Sequence, residues 1–398
     1  MNKKFFERLL VGLMLFYCLV LIGHILTDID GYQWDFQTLY SAAKAFAAGA
    51  SPYDDNILYA YPPAILWFFL PFTLAEYHIA FYLFFFLKCI LLAALIYLWS
   101  NKFLKEERDI FFYLFCLFAF NTAIYLDMAG GNVSVLEQFL IWLAFYFYLK
   151  RKPILFCAFI LMAASFKIIP ILFLCLLLFS ENKKKHLFFF GSAFLFFAYL
   201  IIQYIISPHL FTGFIHYALY IADEGGTRNP CTFALIKALI KFPIVPFIEK
   251  TGLALSYKAK LILFFTVITP ILTAIIMVSR RAFNALKSVK IKDKERILLF
   301  FACLTYVLIL PRFKDYSYIL LIVPTYFIIR RADYLTLKGY PLLFIIAVLP
   351  HLPSVSMPLF DTIFSVFDEY YALMLAYVVW GLYLYEIFAL KRQMQTKS

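Results

Sequence analysis

The sequence predicts an all-α fold, a polytopic transmembrane bundle of about twelve helical spans. Three observations predict it. Hydrophobic residues fill 64% of the 398 positions and mean hydropathy is +0.84, as expected of helices solvated by lipid. Apolar runs recur along the whole length. The Lys and Arg residues behind the net charge of +12 lie mostly in short runs between those stretches, at 3–8, 102–108, 150–152, 183–185, 280–296, 330–338 and 391–397. If each run faces the cytoplasm, the positive-inside rule is met throughout. The basic balance is therefore a topology signal and not a nucleic-acid footprint.

With the N-terminus inside, spans fall at 8–26, 77–99, 110–126, 134–149, 154–166, 169–180, 187–206, 257–279, 297–311, 318–330, 341–352 and 370–390. Both termini are then cytoplasmic, in a multi-pass plasma (inner) membrane protein. The first segment has the apolar core of a signal peptide. Bulky residues from Ile22 to Leu26 leave no cleavage site, so it reads as a retained span.

The next stretch, 27–76, is the first large extracytoplasmic loop, and it concentrates carboxylates beside the membrane: Asp28, Asp30, Asp35, Asp54 and Asp55. Within it Phe36, Leu39, Tyr40, Ala43 and Ala47 share one helical face, which predicts an interfacial helix stopped at Gly49. Tyr61-Pro62-Pro63 opens a second apolar helix, Ala64 to Leu74, too short to cross.

Residues 154–179 as one helix would span about 39 Å against a hydrocarbon core of about 30 Å. They would also move Lys183, Lys184 and Lys185 outside. Pro170 disfavours helix at Ile169 and suits a new helix start, which predicts a short hairpin with Lys167 at its outward tip. The second large outer segment is 207–256, and residues 1–398 read as a single membrane-embedded domain. Of the seven cysteines only Cys231 lies outside an apolar run, and the histidines show no ligand spacing. Neither a disulfide framework nor a metal site is expected.

Several short patterns recur in order between about residues 30 and 330. They are Asp35-Phe36 with Tyr40, Ala42-Ala43, Gly49 and Pro52-Tyr53, then Tyr61-Pro62-Pro63 and Gly131-Asn132-Val133. After them come the Ala-rich segment from Ala163 to Pro170, Asn229, and Pro311-Arg312-Phe313-Lys314-Asp315-Tyr316. The set resembles glycosyltransferase family 87, membrane enzymes of the GT-C superfamily. One departure is visible: where many relatives carry His in the late motif, this chain has Lys314, Asp315 and Tyr316. A different sugar or acceptor would accompany that change.

The resemblance implies a GT-C-like bundle and an inverting hexosyltransferase of the mannosyltransferase kind. Its donor would be a polyprenyl-phosphate sugar, its acceptor a lipid or glycan, and its active site extracytoplasmic. It implies no cofactor, and a monophosphate donor beside basic side chains does not demand a divalent metal. Asp35 becomes the candidate base, since inversion needs one carboxylate within about 2.6–3.2 Å of the acceptor hydroxyl. Its competing reading is an N-cap of the helix that follows. Asp28 and Asp30 are substitutes for that role, and Asp54 and Asp55 read as solvated turn residues.

Lys167, Arg312 and Lys314 are candidates for the donor phosphate, Arg for its bidentate grip. Snorkelling or lipid headgroups would occupy them otherwise. Tyr61, Asn132, Arg228, Asn229 and Asp315 are candidates for sugar or acceptor contact, with an aromatic-belt role the alternative for Tyr61. Glu137, inside a span, reads as paired with a polar neighbour. A transporter or lipid flippase is the rival class. It would be expected to show a twofold repeat and mid-membrane acids, and neither is evident.

Overall fold

A computed structural model describes residues 3–27, 32–54, 56–57, 59–221, 226–241, 256–289, 291, 293–332, 339–348 and 361–395. Asp28, Asp30 and Asp55 lie outside them. The described residues form helices and no strand. Among the described residues six helices are long and apolar enough to cross a membrane: Leu9–Thr27, Tyr77–Phe103, Ile110–Gly130, Lys185–Ile206, Lys258–Ser288 and Asp368–Gln393. Each of the other predicted segments also contains helix. The chain is an all-α polytopic membrane protein. Chain contacts divide it into two compact units, 1–117 with 124–221, and 118–123 with 222–398.

The first unit opens with α1 (Lys3–Thr27), α2 (Trp34–Ala47) and α3 (Ala64–Phe69), which runs on as a 3₁₀ turn to Leu74. Gly49, at φ 73°, ends α2 as its sequence predicts. Next come α4 (Tyr77–Leu98), α5 (Ile110–Gly130), α6 (Ser134–Leu149) and α7 (Pro153–Phe166). Asp109 caps α5 by accepting from the Phe111 N–H at 2.9 Å. The predicted hairpin break is present. Helix α7 stops at Phe166, Lys167 is extended (φ −140°, ψ 128°), and a 3₁₀ helix with Pro170 in its first turn covers Ile169–Phe179. The 3₁₀ rise of about 2.0 Å stretches those eleven residues to about 22 Å, longer than an α-helix would reach. Helices α8 (Lys185–Ile206) and α9 (Pro208–Ile221) complete this unit.

The second unit holds α10 (Thr232–Leu239), α11 (Tyr257–Ser288), α12 (Lys294–Ile309), a 3₁₀ segment Asp315–Leu321 running into α13 (Ile322–Arg331), α14 (Tyr340–Val348) and α15 (Asp361–Gln395). Helix α11 outruns its predicted end at 279 because Ala282, Phe283, Ala285 and Leu286 are buried and keep the amphipathic pattern going. Asp293, just before α12, ties Arg296 to Arg331 at the end of α13. The middle of α5 also belongs to this unit. Phe120, Asn121 and Thr122 adopt left-handed φ of 53–56°, at about 1–2 kcal/mol each. The buried Phe120 ring stacks on Tyr318 with centroids 5.7 Å apart, which offsets part of that cost.

Candidate active site

The site in the first unit starts at the N-terminus of α2. Gln33 takes a left-handed turn (φ 71°, ψ 17°), and its N–H donates to the Ala129 carbonyl at 2.9 Å. The helix begins at Trp34, so Asp35 is its second residue and not its N-cap. This corrects the capping alternative, because the turn at Gln33 sets the helix start two residues earlier than that reading requires. Phe36 anchors the turn, fully buried with ring centroids 5.4–6.3 Å from Phe69, Tyr77, Phe81 and Phe84. Its half-buried neighbour Asp35 faces the loop between α5 and α6 instead.

That loop fits only because of two glycines. A Cβ on Gly130 would lie 2.8 Å from the Trp34 ring, and one on Gly131, at φ +65°, would lie 2.6 Å from the Phe36 Cβ. The close approach delivers Asn132, fully buried, to Asp35. Its amide nitrogen donates to Asp35 Oδ2 at 2.9 Å and to the Tyr61 hydroxyl at 2.7 Å. Its oxygen accepts from the Ser134 N–H at 3.0 Å and from Ser134 Oγ at 2.9 Å. Three residues singled out in the sequence, Asp35, Asn132 and Tyr61, thus meet in one hydrogen-bonded group.

A fourth joins it. Lys167 Nζ donates to Ser134 Oγ at 2.6 Å and pairs with Glu137 Oε2 at 2.8 Å. Below this layer lies an ion pair that sequence reasoning missed. Lys88 Nζ on α4 lies 2.8 Å from Asp127 Oδ2 on α5, both side chains almost wholly buried. Asp127 Oδ1 also accepts from the Ser134 N–H at 3.2 Å. The available signal was a Lys and an Asp inside apolar spans, where an ionisable residue is costly and needs a partner.

Tyr61 is held from behind by other tyrosines. Tyr53 donates to the Tyr61 carbonyl at 2.8 Å, and Tyr59 to the Pro62 carbonyl at 3.3 Å. Burial pushes both phenols well above their ordinary range, so they remain donors. Tyr53 also stacks on Tyr217 of α9, and Gly213 leaves room for the Tyr53 ring.

The remaining candidates belong to the second unit. Asn229 is buried, and its oxygen accepts from the Phe313 N–H at 2.7 Å, fixing the segment that carries Arg312, Lys314 and Asp315. Tyr318 and Cys231 strengthen the same join, donating to the carbonyls of Pro230 and Pro311 at 2.5 and 3.1 Å. Asp315 accepts from the Tyr316 N–H at 2.7 Å and lines a pocket with Asn121, Asp368, Glu369 and Tyr371. Arg228 is exposed, while Arg312 and Lys314 are half-buried.

The family model of glycosyltransferase family 87 matches residues 59–311, more than half of the chain. The chain belongs to glycosyltransferase family 87. No curated protein matches it. As a family-87 protein with these helices it is a membrane glycosyltransferase, which requires a sugar donor and an acceptor. The matched stretch includes Tyr61, Asn132, Lys167, Arg228 and Asn229; Asp35 precedes it, and Arg312, Lys314 and Asp315 follow it. Glycosyl transfer to a hydroxyl is helped by a group that takes the acceptor proton. The first unit offers a carboxylate with an amide donor on one oxygen, a phenol beside it and an ammonium two hydrogen bonds further back.

Proposed function

We propose that this enzyme transfers a hexose, mannose or a similar sugar, from a polyprenyl-phosphate donor to a lipid or glycan acceptor on the extracytoplasmic face, with inversion. The observation that carries the reading is the setting of Asp35. A half-buried carboxylate in the first turn of a helix, with one oxygen held by Asn132, is fixed in direction and favoured as an anion by the helix N-terminus. Asp35 takes the proton of the acceptor hydroxyl as that oxygen attacks the anomeric carbon. The bond from that carbon to the phosphate oxygen breaks, and its electron pair leaves with polyprenyl phosphate. Tyr61 and Asn132 border the sugar on the Asp35 side.

The phosphate role is kept for Arg312 and Lys314, and sugar or acceptor contact for Arg228, Asn229 and Asp315, on side-chain chemistry alone. Burial of about 0.8 kcal/mol per CH₂ favours a polyprenyl tail in the bilayer over water, which suits a polytopic enzyme. Asp35→Asn keeps shape and tests the base directly. Turnover should fall about 10²–10⁴-fold with donor binding little changed. Near-native transfer by Asp35→Asn would return Asp35 to a purely structural place at the helix terminus. Asp28→Asn and Asp30→Asn are the companion variants that locate a different base.

A further inference from the structure

The hydrogen bonds around Asn132 run in one direction. Lys167 Nζ donates to Ser134 Oγ at 2.6 Å, Ser134 Oγ donates to Asn132 Oδ1 at 2.9 Å, and Asn132 Nδ2 donates to Asp35 Oδ2 at 2.9 Å. The direction is imposed, because the donors at its two controlling points cannot reverse. An ammonium can only donate, so the Ser134 hydroxyl must accept from Lys167 and turn its own proton elsewhere. The Ser134 backbone N–H can also only donate, and at 3.0 Å it fixes which end of the Asn132 carboxamide is oxygen. The amino end is left for Asp35 and the Tyr61 hydroxyl, and both of its hydrogens are used.

We infer that Ser134 is a positioning residue that transmits the charge of Lys167 to Asp35 through Asn132, so that Lys167 serves the base and not the donor phosphate. The inference deepens the proposed function, since it rests on Asp35 being the base. Donors aligned in series polarise one another, and the last bond to a carboxylate gains strength from the cation at the far end. Glu137, 2.8 Å from Lys167, holds the ammonium in place at the head of the chain. Lys88 and Asp127 hold its middle, since Asp127 Oδ1 receives the Ser134 N–H at 3.2 Å and Lys88 closes the other carboxylate oxygen at 2.8 Å. The charged and titratable groups that the elements packed here contribute to the network are Lys88 on α4, Asp127 on α5, Glu137 on α6, Lys167 after α7 and the Tyr61 phenol.

The test reads the Asp35 carboxyl itself and does not depend on knowing the sugar. A hydrophobic carbodiimide labels protonated carboxyl groups; mass spectrometry of the full-length protein in detergent micelles then gives labelling at Asp35 against pH. In Ser134→Ala the half-labelling pH should rise by about one unit, as expected when a carboxylate loses support for its charged form. Ser134→Thr, which keeps a hydroxyl, should restore the original profile. Lys167→Met should raise the half-labelling pH in the parent protein and add little once Ser134 is Ala, the non-additivity of residues acting in series. An unchanged profile in Ser134→Ala overturns the inference, as does an equal Lys167→Met shift in both backgrounds. Turnover of Asp35→Asn is scored separately. If that variant stays active the proposed base fails, whereas an inactive Asp35→Asn beside an unmoved Ser134→Ala profile sinks the relay alone.

Discussion

Lys88 shows how single residues carry this site. Its ammonium and the Asp127 carboxylate are nearly inaccessible, so each is tolerable only beside the other. Lys88→Met should leave Asp127 uncompensated and cost about 3–5 kcal/mol of stability, while the double variant Lys88→Met/Asp127→Leu should recover much of it. Thermal unfolding of the detergent-solubilised variants checks this, and a double variant no better than the single would contradict it. Neither residue was picked out in the sequence. Each sits in an apolar run, and the pairing joins residues 39 positions apart, a relation that helix packing alone reveals. Asp35, Tyr61, Asn132 and Lys167 were legible because each lies in one of the ordered short patterns that carry the family resemblance, outside or between the apolar runs. Their hydrogen bonds were not, and the cap stayed open as the alternative for Asp35 because nothing in Gln33 announces a left-handed turn.

At the scale of elements, the connections decide more than the spans do. Asp293 precedes α12 and holds Arg296 of that helix together with Arg331 at the end of α13. Partial burial alone would raise its carboxyl, but hydrogen bonds and charge from Arg296 and Arg331 outweigh that and hold it below the ordinary range. A depressed folded value means the stabilisation is fully present above the unfolded carboxylate value and lost as pH falls through the folded one. The protein should therefore lose this contribution only below about pH 4, and Asp293→Asn should flatten that part of the melting-temperature profile against pH. A variant profile parallel to that of the parent protein in this window would contradict the assignment. Break points at Gly49, Phe166–Pro170 and Pro63 were readable because Gly enters the left-handed region freely and Pro fixes its own backbone angle and removes a donor. The break at Phe120–Thr122 has neither residue, so its three left-handed positions had no local signal.

Across the whole molecule, fold class followed from composition and charge placement, since lipid solvation demands apolar helices almost regardless of packing. The division into two units did not, because α5 contributes its ends to one and its middle to the other. Family membership rests on residues 59–311, and the proposal built on it is that lipid-linked sugar is cleaved and not carried. The most direct measurement reconstitutes the full chain in vesicles containing polyprenyl-phosphate hexoses, polyprenyl-phosphate-mannose among them. It follows free polyprenyl phosphate by mass spectrometry, alongside movement of intact donor between leaflets. Polyprenyl phosphate should be released in step with sugar transfer, and that release should be lost in Asp35→Asn. Intact donor crossing the bilayer with no polyprenyl phosphate released from any hexose in the set would contradict the proposal.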